Sequence, residues 1–102
     1  MGIKSLTEET FDLIRKDSLC LVYFWATWSG PCLNYPDLDG FIQENSTLPI
    51  YKVNVEENPE LTRRFSVIVM PTLIFYKKGK AVLTLIGCQN IQVLREKLAS
   101  LK

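Results

Sequence analysis

Residues 24–32 read Phe24-Trp25-Ala26-Thr27-Trp28-Ser29-Gly30-Pro31-Cys32. The stretch closes a nearly continuous apolar run, Leu19 to Ala26, that is rich in β-formers. Such a run is too short for a buried helix and fits a central parallel strand. Trp28 to Pro31 then supplies a turn. Proline is favoured in the first turn of a helix, so a helix is expected to start near Pro31. Strand, turn and helix start therefore meet beside one thiol, Cys32.

Upstream, Ser5 followed by Glu8 reads as a capping box, and Phe11 and Ile14 give the predicted helix a short apolar face up to about Lys16. Downstream, the helix from Pro31 is expected to reach toward Asn45 through Leu38, Phe41 and Ile42, kinked at Pro36. The segment 50–55 alternates as a second strand. Asn58 is expected to cap a helix that Pro59 begins. Thr72 to Tyr76 reads as a strand, Lys77-Lys78-Gly79-Lys80 as a hairpin turn, and Ala81 to Ile86 as the return strand, ended by Gly87. A last helix from about Asn90 carries Ile91, Leu94, Leu98 and Leu101 on one face. The order predicts an α/β protein: an N-terminal helix, β-α-β, a helix, then β-β-α, with a central mixed sheet flanked by helices.

The 102 residues are one domain's worth, spanning 1–102. Twelve basic and 11 acidic residues leave a net charge of +1, which steers the chain toward neither nucleic acid nor an anionic membrane. No apolar run approaches the roughly 20 residues that span a bilayer. Met1 to Ser5 carries no apolar leader stretch, so a cytoplasmic location is expected. The absence of histidine removes Cys-His and Ser-His-Asp catalysis. The three cysteines, Cys20, Cys32 and Cys88, are too few for a disulfide framework, and no pair has metal-ligand spacing. No cofactor or metal is expected.

Residues 24–32 resemble the active-site segment of the thioredoxin family, FWAxWCGPC. The resemblance runs along nearly the whole chain. Lys52-Val53-Asn54-Val55 with Asn58-Pro59 is similar to the family's second strand and following turn, Met70-Pro71-Thr72 to its cis-proline loop, Lys78-Gly79-Lys80 to its hairpin turn, and Gly87 to the glycine after its last strand. The resemblance implies a thioredoxin fold and thiol–disulfide exchange on protein disulfides, recharged by a thioredoxin reductase, in a monomer or in a complex with that reductase. It assigns Ser29 to the position of the attacking cysteine and Cys32 to the resolving one. Trp28, Gly30, Pro31, Met70, Pro71 and Gly87 become the substrate-binding surface.

The chemistry behind the motif is general. A thiol at a helix start is held as thiolate by the dipole and free N–H groups, attacks a substrate disulfide, and yields to a second thiol that resolves the mixed disulfide. In this family the attacking thiol is the exposed one and the fold shields its partner. A serine hydroxyl has no accessible anion near neutrality without a strong base. As written, the chain cannot close the motif disulfide and is expected to be inactive as a dithiol reductase. Two origins for Ser29 stay open: an engineered Cys-to-Ser change in an active member, or a natural binding module that grips partners through the same surface. Tyr23 stands where the family usually carries a buried Asp, with Lys52, that Asp's usual neighbour, retained. Pro36 falls one residue earlier than the family's helix proline. Cys88 reads as a small loop residue or as a third, exposed thiol; Cys20 reads as buried.

Overall fold

A computed structural model describes residues 3–102. Five strands form one mixed sheet in the order β1 (Lys4–Ser5), β3 (Ile50–Asn54), β2 (Cys20–Trp25), β4 (Thr72–Lys77), β5 (Lys80–Ile86). β2 runs parallel to β3 and antiparallel to β4, and β4 and β5 form a hairpin. Among the described residues four α-helices accompany the sheet, α1 (Gly30–Leu33), α2 (Pro36–Glu44), α3 (Pro59–Arg64) and α4 (Ile91–Leu101), with one 3₁₀ helix at Phe11–Lys16.

The pleat of β2 sorts the core into two layers, because successive side chains point to opposite faces. Cys20, Val22 and Phe24 join Phe11, Ile14 and Leu61 on one face; Leu21 and Tyr23 join Leu38, Phe41, Leu94 and Leu98 on the other. The second face is thus covered by α2 and α4, whose ends are tied where the Asp37 carboxylate accepts a bond from the Ile91 amide at 2.8 Å.

Three expectations are corrected. Ser5 caps no helix: Lys4 and Ser5 pair with Tyr51 and Lys52 as an edge strand, and the Leu6 amide donates to the Lys52 carbonyl at 2.8 Å. Backbone pairing with β3 outcompetes the local cap. The chain turns instead at Thr10, whose hydroxyl accepts from the Thr7 amide, and only a 3₁₀ helix follows at Phe11–Lys16. The helix from Pro31 is not one kinked rod but two helices, parted at Asn34 and Tyr35, with Pro36 in the first turn of the second. Proline removes the N–H that would have continued the ladder and disfavours helical geometry for the residue before it. Asn58 precedes α3 without capping it through its side chain; its amide bridges the Asn54 carbonyl and the Glu8 amide. At the last helix the expectation holds, since the Asn90 side chain accepts from the Val93 amide.

The β4–β5 turn is two residues, Lys78 at φ 52° and Gly79 at φ 84°, the double left-handed geometry that matches strand twist. A Cβ on Gly79 would also lie 2.8 Å from the Arg15 Cγ. Gly79→Ala is expected to destabilise the fold by about 1–2 kcal/mol, read as a lower urea midpoint.

Candidate active site

Register brings the motif together. Phe24 pairs with Thr72, and Thr72 pairs with Ile86. The segments just beyond these pairs, Ala26 to Pro31, Met70-Pro71 and Gly87-Cys88, therefore emerge at the same end of the sheet. The Gly87 amide donates to the Pro71 carbonyl at 2.8 Å, so the loops on either side of the hairpin are bonded to each other. The Met70–Pro71 peptide bond is cis, Pro71 is fully buried and Met70 is half-buried against the core. Cys20 lies at the opposite end of β2, five residues from Trp25 and so roughly 16 Å away.

The turn after β2 closes through two short-range bonds. The Ser29 amide donates to the Ala26 carbonyl at 3.3 Å, and the Cys32 amide to the Ser29 carbonyl at 3.0 Å. From the opposite side the Glu56 carboxylate accepts from both the amide and the hydroxyl of Thr27, each at 2.8 Å. These bonds, the backbone one first, lower the Glu56 pKa and keep the clamp ionised. Glu56 thereby sets the path of the chain into Trp28, whose indole is 66% exposed beside an open groove of about 600 Å³ lined by Val55, Pro59, Thr62, Val67 and Ile68. No sequence signal marks Glu56, because its partner lies 29 positions away.

Burial at the motif runs opposite to the expected order. Ser29 is only 7% exposed, whereas Cys32 is half-buried. The tight Ala26–Ser29 turn draws the small serine inward, and the single-turn α1, cut short by the early Pro36, leaves Cys32 near solvent. Gly30 and Pro31 are exposed between them.

Beneath Cys32 lies Tyr23, buried on the α2 face of the sheet. Its hydroxyl donates to the Cys32 carbonyl at 2.8 Å, and burial pushes the phenol well above its ordinary range. A group so held stays protonated and positions the Cys32 backbone; it does not accept a proton from the thiol. Lys52, opposite Tyr23 in the β2–β3 register, has no acid to pair with there and stands over the Trp25 ring, 5.6 Å from its centroid. Tyr35 anchors the break between α1 and α2: its hydroxyl donates to the Gln89 carbonyl at 2.9 Å and also accepts from the Gln89 amide.

The thiols differ in environment. Burial pushes Cys20 up to about 12, and Asp17 adds to the shift. With the side chain fully enclosed, native alkylation at mildly alkaline pH is expected to spare Cys20 while labelling Cys32 and Cys88; unfolding in denaturant should release it. Mass spectrometry of the labelled peptides reads this directly. Among the described residues no group of three or more His, Cys, Asp or Glu side chains is placed to hold a metal, and no helix is long and apolar enough to cross a membrane.

A mixed sheet with helices on both faces, and a thiol-bearing turn after its central strand beside a cis-proline loop, is the architecture of disulfide-exchange proteins. Comparison supplies the family. The thioredoxin family model matches residues 2–100. A thioredoxin from Alicyclobacillus acidocaldarius is 41% identical over 98 residues, covering 93% of each chain. Thioredoxin-2 of Saccharomyces cerevisiae is 37% identical over 99 residues, covering 96% of this chain and 94% of its own. In three dimensions the X-ray structure of Fasciola hepatica thioredoxin superposes with a TM-score of 0.86 at 34% identity, covering 98% of this chain and all of that one. The chain belongs to the thioredoxin family, and by family it is a thiol–disulfide oxidoreductase whose partners are protein disulfides and a reductase.

Proposed function

We propose that this chain engages protein disulfides through the surface of Trp28, Gly30, Pro31, Met70, Pro71 and Gly87, and that Ser29 deprives it of the thiol with which the motif would attack them. The observation that carries the reading is the pairing of an intact turn with a missing sulfur. Ser29 occupies the strand-to-helix junction, its carbonyl accepts from the Cys32 amide, and two residues separate it from the only motif thiol. An alcohol in that position cannot exchange with a disulfide, so the motif has no route to turnover. Insulin reduction tests this: the present chain should be nearly silent and Ser29→Cys active. Silence of both would overturn the enzymatic reading.

A natural binding module is the second reading, favoured by Tyr23. Its phenol donates to the backbone beneath Cys32, where the family's acid would serve proton transfer. A chain that no longer resolves mixed disulfides has no need of that acid, and gains from a group that stiffens the binding surface.

A further inference from the structure

We propose that Cys88 and Cys32 work as a dithiol pair in this chain, with Cys88 taking the attacking role that Ser29 leaves empty and Cys32 resolving. The inference rests on the reading of the chain as a disulfide-exchange protein.

The Cys88 thiol packs against the segment that carries Cys32. Cys88 Sγ lies 4.0 Å from the Pro31 carbonyl oxygen, the oxygen of the peptide unit that joins Pro31 to Cys32. Cys88 is exposed and Cys32 half-buried, so both meet solvent on one face, whereas Cys20 is enclosed at the far end of β2. The loop bearing Cys88 is bonded on both sides: the Gly87 amide to the Pro71 carbonyl before it, and Gln89 to the Tyr35 hydroxyl after it. Tyr35 lies three positions beyond Cys32, so the second bond holds the Cys88 loop against the segment that follows the other thiol. Burial raises the Cys88 thiol above its ordinary range, and the Cys32 sulfur raises it further; both sulfurs also act on the Tyr23 phenol below.

The exchange balances without any other redox agent. The Cys88 thiolate attacks a substrate disulfide. A Cys88–substrate bond forms, the substrate S–S bond breaks, and one substrate sulfur leaves as a thiolate that takes a proton from water. The Cys32 thiolate then attacks Cys88 Sγ. The Cys32–Cys88 bond forms, the mixed disulfide breaks, and the second substrate sulfur leaves. The substrate gains two electrons and two protons, and the pair is oxidised. Because the Cys88 thiol is held up, little thiolate is present near neutrality and the route is slow.

Incubating the chain with oxidised glutathione, alkylating without reduction and mapping peptides tests the pair. The expected product is a monomer with a Cys32–Cys88 cross-linked peptide, two of its three thiols closed to alkylation and Cys20 still free. Cys20→Ala should give the same cross-link. Cys88→Ser and Cys32→Ser should each abolish it and leave a lasting glutathione adduct on the remaining partner. Glutathione on both thiols with no cross-link, a bridge between two copies, or no reaction at either thiol would each overturn the pair. A gain of insulin reduction by Ser29→Cys alongside any of those results would show that only the pair, and not the family activity, had failed.

Discussion

Ser29→Cys is expected to raise the rate of insulin reduction at least about 10²-fold over the present chain. Removal of an attacking nucleophile costs several orders of magnitude in enzymes that depend on one. The lower bound allows for the slow alternative route through Cys88. Everything around the substitution is already built. The turn is held by the Ser29–Ala26 and Cys32–Ser29 backbone bonds, Glu56 clamps Thr27, and the Trp28 indole stands exposed next to the site. The opposing effect is burial, since Ser29 is 7% exposed. Sulfur is larger than oxygen and sits on a longer bond, so a thiol at this position reaches farther out of the turn than the hydroxyl does. A second opposing effect is Tyr23, which offers no carboxylate to take the Cys32 proton. That deficit acts on resolution and not on attack. The expected signature is therefore a fast first exchange, seen as an accumulating mixed disulfide, followed by slower release.

Phe41→Ala is expected to destabilise the fold by about 3–5 kcal/mol, the usual cost of truncating a fully enclosed aromatic ring. Phe41 has no exposed surface and lies in the layer formed by Leu38, Leu73, Phe75, Leu94 and Leu98. A domain's total stability is about 5–15 kcal/mol, so this single change removes a large fraction of it. Calorimetry should show a melting temperature lower by roughly 12–40 °C, from about 4–8 °C per kcal/mol for a chain of this size. The loss also reaches the site. α2 is the platform that follows Cys32, and Tyr35 and Asp37 at its start hold the Cys88 loop and the first turn of α4. Alkylation of the half-buried Cys32 should accelerate in Phe41→Ala below its melting temperature, because local opening of α2 uncovers it.

Periodicity and turn chemistry made most of the fold legible. β2 was readable from its apolar run, the hairpin from Lys78-Gly79, and α4 from its Asn90 cap and spaced leucines. The N-terminus was not, because Ser5 and Glu8 match a local cap while the competing bonds come from Lys52, far along the chain. The division of α1 from α2 was hidden for a related reason. Pro36 signalled a disturbance, but a kink and a break differ only in whether the residues before it find other partners, as Tyr35 does with Gln89. At the site, the resemblance singles out the motif residues, and strand register gathers their segments at one end of the sheet. Glu56 and Tyr35 were invisible because their work is done across the fold. The burial order of Ser29 and Cys32 was misjudged because it depends on the Ala26–Ser29 turn and the shortened α1, which the motif letters do not reveal.

The most direct test of the missing nucleophile is to mix oxidised insulin with the double variant Ser29→Cys, Cys32→Ser and map the products by mass spectrometry. With attack restored and resolution removed, a mixed disulfide should persist at position 29 and disappear on addition of dithiothreitol. If no adduct forms at position 29, while the unaltered chain reduces insulin as fast as Ser29→Cys alone, then attack does not occur at that position and the account is contradicted.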